Sequence, residues 1–218
     1  MKTLCLFDLD GTLIDSKQGI INSATYALKA AGVISSNYTG SQESLIGPPI
    51  REVFRLIHPF TDTELEEVVR KYREYYANQG MFENTVYPGI MELLEKLKSK
   101  GIIMAIATSK ARVYALRIAD KYGFTKYFDV IMGAELDGSR ERKSDVISAA
   151  LNELGGGFQK IIMIGDREHD IIGAQETGID SIGVTWGYGS LQEFDAAGAK
   201  IVANSTDELY DLIINSNG

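Results

Sequence analysis

Short apolar runs recur along the chain, and several of them end in a small or an acidic residue. The clearest runs span Leu4 to Phe7, Ile102 to Ala107 and Ile161 to Ile164, and weaker copies lie at 130–132 and 182–184. Unbroken apolar runs of this length are typical of strands that are buried on both faces of a parallel sheet. The pattern therefore predicts several parallel strands.

Helical patterns separate these runs. Residues 88–100 place four apolar side chains on one helical face, with a proline at the start and a glycine just past the end. Ser205-Thr206-Asp207-Glu208 has the sequence of a capping box that opens a last helix. Alternating strands and helices with short links predict an α/β fold with a doubly wound, mainly parallel, Rossmann-like sheet.

One interval, about 16–86, breaks this alternation because it shows helical signals and no convincing strand. Helices are predicted at 20–31 and 50–57, and Thr61-Asp62-Thr63-Glu64 is a capping box that opens a long helix to about Asn78. Roughly 70 residues is far longer than a usual strand-to-helix connection. We therefore expect an α-helical cap domain at 16–86, inserted into a core formed by 1–15 and 87–218.

Composition and charge narrow the class of protein. The chain has 218 residues, of which 44% are apolar and 24% charged, with 22 basic and 30 acidic residues and a net charge of -8. An acidic balance argues against nucleic acid as a main partner. The single Cys5 excludes an intrachain disulfide, and no apolar run approaches the length of a membrane span. We expect a cytoplasmic protein without a membrane partner.

Asp8 and Asp10 follow the first predicted strand and are the first candidates for chemistry. A carboxylate at a strand end can attack an electrophilic phosphorus or bind a hard cation, and its neighbour can supply or remove a proton. The alternative is an Asp-Gly turn that closes the strand, which is common in proteins.

A second acidic pair, Asp166 and Asp170, follows another buried-looking strand. Four carboxylates that converge at one sheet edge repel one another unless a cation is present. The set has oxygen ligands and no Cys or His cluster, which favours Mg²⁺ over Zn²⁺. Acidic residues at a helix N-terminus have a simpler explanation in the helix dipole, but that explanation accounts for one acid better than for four.

Two further segments could bind an anion at the same edge. Thr108 and Ser109 end the second long strand, and we expect the next helix to begin there, so that a hydroxyl and free backbone N–H groups face an anion. Simple capping of that helix is the alternative. Lys143 precedes a helix predicted at 144–154 and could reach the same edge as a phosphate clamp, unless it belongs to a solvated basic patch with Arg140 and Arg142.

These segments resemble the four motifs of the haloacid dehalogenase superfamily, in order and over essentially the whole chain. Within that superfamily the chain is similar to phosphoglycolate phosphatases with a helical cap. The resemblance implies that Asp8 is the nucleophile that forms an aspartyl-phosphate and that Asp10 is the general acid/base. It also implies that Asp166, the Asp8 carboxylate and the Asp10 backbone carbonyl bind Mg²⁺, with Asp170 orienting the water shell of the metal.

The same resemblance assigns Thr108 to phosphate binding and Lys143 to steadying the nucleophile and the phosphate. Many relatives have proline after the motif lysine, whereas this chain has Ser144. Serine is a good N-cap, so we expect the helix to start normally there. In the cap, residues 46–51 resemble a loop that dips into the active site, and Arg51 could contact a remote anionic group of the substrate. A solvated helix face is the other interpretation of Arg51.

The predicted activity is Mg²⁺-dependent hydrolysis of a small phosphorylated metabolite. Phosphoglycolate and a nucleoside 5′-monophosphate are the competing substrates, and the oligomeric state is unknown from sequence. Asp10 argues against the dehalogenase branch, which lacks this second aspartate. A sugar-phosphate mutase and a regulatory module that only binds phosphate remain alternatives, although a module without activity would be expected to lack Asp8 or Asp10.

Overall fold

The computed structural model describes residues 2–33 and 50–215. Its strands are β1 (Thr3–Phe7), β2 (Ile14–Asp15), β3 (Thr85–Val86), β4 (Ile103–Ala111), β5 (Val130–Ala134), β6 (Lys160–Gly165), β7 (Asp180–Val184) and β8 (Val202–Ala203). Its α-helices are α1 (Lys17–Ala30), α2 (Ile50–Ile57), α3 (Asp62–Asn78), α4 (Ile90–Ser99), α5 (Arg112–Lys121), α6 (Lys143–Leu154), α7 (Glu168–Thr177), α8 (Leu191–Ala196) and α9 (Thr206–Asn215).

The main sheet has the strand order β5-β4-β1-β6-β7-β8, and every neighbouring pair is parallel. β1 lies between β4 and β6, so that Phe7 pairs with Ile106 on one side and with Ile164 on the other. All five residues of β1 are buried, as the apolar run predicts. This architecture confirms the predicted α/β class with a mainly parallel sheet.

The core on one face of the sheet is built from alternate strand residues and from helices α6 and α7. Leu4 and Leu6 of β1 belong to this cluster, and Val146, Ile147 and Ala174 cover them from the helices. Alternation follows because successive side chains of a strand point to opposite faces. A polar side chain in a strand that is buried on both faces loses its contact with water, which costs free energy. Polar groups therefore concentrate where the strands end.

The chain divides into two compact units, one formed by Met1–Asp15 with Val86–Gly218 and the other by Ser16–Thr85. The helical unit contains α1, α2 and α3. Thr61 caps α3 by accepting a hydrogen bond from the Glu64 N–H, and the Glu64 carboxylate accepts one from the Thr61 N–H. The predicted capping box is therefore confirmed. Gly19 of α1 packs closely on the turn at Gly80, because a Cβ at Gly19 would lie 1.9 Å from the Gly80 carbonyl oxygen.

Three sequence expectations about element boundaries are wrong. β3 is a short strand inside the interval for which no strand was expected, and it pairs with β2. α6 begins at Lys143, so Ser144 is the second residue of the helix and not its N-cap. β4 continues to Ala111, so the next helix begins at Arg112 and not at Ser109.

No helix in the described part of the chain combines the length and the apolar character needed to cross a bilayer.

Candidate active site

The site lies where the direction of chain progression across the sheet reverses. From β1 the chain proceeds to β4 and β5 on one side, and β6, β7 and β8 extend the sheet on the other. Open α/β sheets bind ligands at such a switch point, beyond the carboxyl ends of the strands. Asp8 follows β1 and Asp166 follows β6, and these strands are neighbours in register. The two carboxylates therefore lie at the same sheet edge.

Lys143 connects two of the carboxylates. Its Nζ donates a hydrogen bond to Asp8 Oδ1 at 2.8 Å and lies 2.7 Å from Asp170 Oδ1. Nζ also donates to the Ala107 carbonyl oxygen at 3.1 Å. Arg142 instead pairs with Glu176 on an exposed surface. Of the two neighbouring basic residues, Lys143 is the one that the fold brings to Asp8.

Asp166 is held from two directions. Thr12 Oγ1 donates a hydrogen bond to its Oδ1 at 3.2 Å, and the Tyr188 N–H donates to its Oδ2 at 2.8 Å. The backbone approaches closely at both places, because a Cβ at Gly11 would lie 2.1 Å from Asp166 Oδ2 and one at Gly187 would lie 2.4 Å from Asp166 Cβ. Gly11 also has a φ of +81°, which disfavours other residues. Glycine is therefore required beside this carboxylate.

Asp170 lies in the first turn of α7, where its Oδ2 accepts a hydrogen bond from the Arg167 N–H at 3.1 Å. The start of this helix is in turn fixed by Glu193. One Glu193 oxygen accepts hydrogen bonds from Arg167 Nε at 2.7 Å and from the Glu168 N–H at 2.8 Å. The helix start therefore orients Asp170 toward the other acids.

Asp10 is paired with Lys110. The Lys110 Nζ lies 2.7 Å from Asp10 Oδ2, and the side chains are only 6% and 18% exposed. The other oxygen, Oδ1, is buried and has no hydrogen-bond partner among the residues that the structure describes. The sequence analysis assigned Lys110 no role.

Thr108 and Ser109 lie at the same end of the sheet but not at a helix N-terminus. Thr108 is buried and pairs with Gly133, and the register then shifts between Thr108 and Ala111. A bulge occupies the place where we expected the helix to begin, so capping of α5 by either hydroxyl is excluded. Thr108 Oγ1 instead accepts a hydrogen bond from the Lys110 N–H at 3.2 Å.

Burial and mutual repulsion set the protonation of the acids. Burial, followed by the charges of Asp170 and Asp8, raises the pKa of Asp166 well above its usual value. Burial raises the pKa of Asp170 to about 6, against the opposing effect of Lys143. Burial alone would lower the pKa of Lys143, but Asp170 and Asp8 outweigh it and the pKa is raised. Lys143 therefore stays charged in this cluster.

The acidic cluster fits a divalent cation. Asp8, Asp166 and Asp170 are all buried, and each offers an oxygen within 4.8 Å of the others. The pKa values of Asp166 and Asp170 are raised by burial and then by repulsion from the neighbouring carboxylates, so a bound cation would favour the ionised forms of both acids. An all-oxygen set is the donor chemistry of hard cations. The Asp10 carboxylate is not part of this cluster, since it pairs with Lys110.

Arg51 belongs to the helical unit and makes a bidentate contact there. Its Nη2 lies 2.7 Å and 2.8 Å from the two Glu66 oxygens, and its Nε donates to the same carboxylate. Residues 46–49 of the loop expected to dip into the active site lie outside the described residues. Substrate binding by Arg51 stays a prediction.

Comparison with known proteins establishes the family. The model of the haloacid dehalogenase-like hydrolase family matches residues 5–184. The chain belongs to this family. A crystal structure of a predicted phosphatase from Clostridium acetobutylicum superimposes with a TM-score of 0.92 at 41% identity, covering 99% of each chain.

Curated members of the family with related sequences carry several activities. A 5′-nucleotidase of Pseudomonas aeruginosa is 41% identical over 88% of this chain and 86% of its own length. A tyrosine-protein kinase, PtkA of Mycobacterium tuberculosis, is 38% identical over 96% of this chain and 72% of its own length. A phosphoglycolate phosphatase of Agrobacterium fabrum is 32% identical over 86% of this chain and 82% of its own length.

These findings confirm the resemblance and the enzyme class. The chain is a haloacid dehalogenase-type phosphatase, a phosphoric monoester hydrolase. The sequence assigned no role to Thr12, Tyr188 or Lys110, although each contacts a candidate site residue. It also assigned none to Glu193, which holds the start of α7 through Arg167 and Glu168. For Tyr188 the sequence did carry a signal. Gly187 and Gly189 lie on either side of it, and glycine in such a position often indicates that the backbone approaches another group closely.

Proposed function

We propose that this enzyme hydrolyses phosphate monoesters with Mg²⁺ through an aspartyl-phosphate formed on Asp8. The observation that carries the proposal is the position of Asp8, whose carboxylate is held by Lys143 beside Asp166 and Asp170. A carboxylate so placed is aligned as a nucleophile, and its surroundings can neutralise a phosphate group.

In the first step, an Asp8 carboxylate oxygen forms a bond to phosphorus while the bond from phosphorus to the leaving oxygen breaks. Asp10 donates its proton to that leaving oxygen. In the second step, Asp10 accepts a proton from a water whose oxygen attacks phosphorus. The bond between phosphorus and Asp8 then breaks and inorganic phosphate leaves, which restores both side chains.

Lys143 keeps the nucleophile in place and offers its positive charge to the transferring group. Thr108 is buried at the same sheet edge and, with Ser109, supplies hydroxyl groups for the phosphate oxygens. Asp8 and Asp166 would hold the metal ion together with the Asp10 backbone carbonyl, and Asp170 would orient its water shell. When bound, Mg²⁺ neutralises charge on both the phosphate and the acids.

For the substrate, we propose that nucleoside 5′-monophosphates be tested first and phosphoglycolate second. The relative named 5′-nucleotidase shares 41% identity with this chain, compared with 32% for the phosphoglycolate phosphatase. Motifs and fold determine the reaction but not the leaving group, so a screen of phosphorylated metabolites with detection of released phosphate is the direct measurement.

Phosphoryl transfer to an acceptor other than water is the second candidate, and the relative named as a tyrosine kinase favours keeping it. Product analysis separates the two activities, because hydrolysis releases inorganic phosphate whereas transfer leaves the phosphoryl group on an organic acceptor. The cytoplasmic location remains a prediction.

The nucleophile is tested by Asp8→Asn. This nearly isosteric change should preserve the fold and eliminate turnover, because an amide cannot form the phosphorylated intermediate. With beryllium fluoride and Mg²⁺, the unmutated enzyme should form a beryllium trifluoride adduct in which an Asp8 carboxylate oxygen is bonded to beryllium. An adduct on another residue, or activity above about a tenth in the variant, contradicts the proposal.

A further inference from the structure

We propose that Lys110 is a positioning residue that holds Asp10 in the orientation required for proton transfer, and that a bulge in β4 exists at this point to place it there. The inference rests on the proposed function, because it presumes that Asp10 is the acid/base. Lys110 lies two residues after Thr108, the proposed phosphate-binding residue, and is distinct from Lys143.

The contact between Lys110 and Asp10 is short and sheltered. The Nζ to Oδ2 distance is 2.7 Å, and both side chains are largely withdrawn from solvent. Placing a lysine charge in such an environment is costly unless it is paired. Removing either partner therefore leaves the other uncompensated, which distinguishes this pair from the exposed ion pairs elsewhere on the chain.

The backbone of β4 is specifically adapted to this contact. Thr108 pairs with Gly133 and Ala111 with Ala134, so two residues of β4, Ser109 and Lys110, stand against no residue of β5. Extra residues in a strand re-aim the side chains at the bulge. A Cβ at Gly133 would lie 2.4 Å from the Lys110 carbonyl oxygen, so glycine is needed for the bulge to fit.

The two oxygens of Asp10 are used differently. Oδ2 is engaged by Lys110, whereas Oδ1 is buried without a hydrogen-bond partner in the described part of the chain. An acid/base residue needs one oxygen held in place and the other available for the proton. The arrangement of Asp10 meets both requirements, and Lys110 supplies the first.

A direct contact between Lys110 and the phosphate group is the competing role, and a double-mutant cycle separates the two. The cycle uses Lys110→Met, Asp10→Asn and the double variant, with Lys110→Gln in place of the Met variant if the latter does not fold. Lys96→Met is the matched control, because Lys96 forms an exposed ion pair with Glu92 in the same unit. Circular dichroism verifies the fold of each variant.

Each enzyme is assayed for kcat and KM on p-nitrophenyl phosphate and on an alkyl phosphate such as AMP or phosphoglycolate. The nitrophenolate group leaves without a proton, whereas an alkoxide needs one. Lys110→Met should lower kcat/KM about ten- to hundredfold on the alkyl phosphate and less than about threefold on p-nitrophenyl phosphate. In the Asp10→Asn background the same change should cause no further loss. Lys96→Met should match the unmutated enzyme.

Two results would overturn this inference while leaving the proposed function intact. One is an equal loss on both substrates, which would place Lys110 at the phosphate. The other is an additive loss in the double variant, which would show that Lys110 does not act through Asp10. By contrast, undiminished hydrolysis of the alkyl phosphate by Asp10→Asn would refute the assignment of Asp10 itself, and with it the mechanism in the proposed function.

Discussion

The two compact units of this protein use the same kind of ion pair in opposite ways. In the helical unit, Arg70 with Glu67 and Lys71 with Glu74 form pairs on the surface of α3, where the side chains are exposed except for the half-buried Lys71. In the core unit, Lys143 and Lys110 pair with Asp8, Asp170 and Asp10 where side chains are largely or fully buried.

Solvent explains the difference. Exposed ion pairs contribute little to stability, because water screens them and their long side chains lose entropy when fixed. Buried pairs cost desolvation energy that only good geometry repays, and breaking one is expensive. In the core cluster the pKa values of both Lys143 and Asp170 are raised, and the comparison indicates that the buried pairs serve chemistry more than stability.

The largest expected effect comes from metal removal, which should affect the core cluster alone. With excess EDTA, hydrolysis of p-nitrophenyl phosphate should fall by more than about a hundredfold and return with added Mg²⁺, because Asp8, Asp166 and Asp170 form a buried acidic cluster. The control is Glu66→Gln, which changes an exposed carboxylate of the helical unit. This variant should regain activity at the same Mg²⁺ concentration as the unmutated enzyme. Full turnover in EDTA would show that the reaction does not require a metal ion.

The next effect is the contrast between two lysine substitutions. Lys143→Met leaves Asp8 and Asp170 without their shared cation, so we expect the free energy of unfolding to fall by about 3–5 kcal/mol and turnover to be lost. Lys71→Met removes a lysine whose partner is exposed and should not change unfolding measurably. Denaturant unfolding curves and phosphate release measure both. Equal destabilisation by the two changes would contradict the comparison.

A pH effect of intermediate size follows from Asp170, whose pKa is raised to about 6 by burial. A folded state with a raised acid pKa retains a proton that the unfolded chain has lost. The contribution of Asp170 to the free energy of unfolding of the metal-free protein should therefore fall as pH rises from about 4 to about 7, by on the order of 1–3 kcal/mol.

Asp170→Asn supplies the reference for this measurement, because it removes the titrating carboxyl. The difference in unfolding free energy between the two proteins should depend on pH without metal. A difference that stays constant across this range would show that Asp170 does not titrate in it.

The smallest effect concerns Arg51. Its guanidinium is bidentate with Glu66, whose side chain is 61% exposed, so solvent screens the pair and Arg51→Ala should change the unfolding free energy by less than about 1 kcal/mol. Because Glu66 already engages the Nε and Nη2 groups of Arg51, we expect similar KM changes for phosphoglycolate and p-nitrophenyl phosphate. A KM increase restricted to phosphoglycolate, which has a second negative group, would instead show that Arg51 binds substrate.

Sequence reasoning located the candidate acids because they stand where apolar runs end. A strand buried on both faces excludes polar residues from its interior, so Asp8 and Asp166 are conspicuous in the printed sequence. Asp8 and Asp166 lie at the same edge of the sheet because the carboxyl ends of parallel strands meet there. The same reasoning failed at Ser109, because an apolar run that ends does not reveal whether a bulge or a helix follows.

The sequence by itself determined the alternation of strands and helices, the family and the order of the acidic motifs. These depend on local periodicity and on residues adjacent in the chain. The tertiary structure alone decided that Lys110 meets Asp10 and that Tyr188 holds Asp166. It also brings Lys143, which the resemblance assigns to the nucleophile, to Asp8. Those contacts join residues that are far apart in the chain. The order of the strands and the direction of the backbone at a bulge bring them together, and no local sequence pattern encodes either feature.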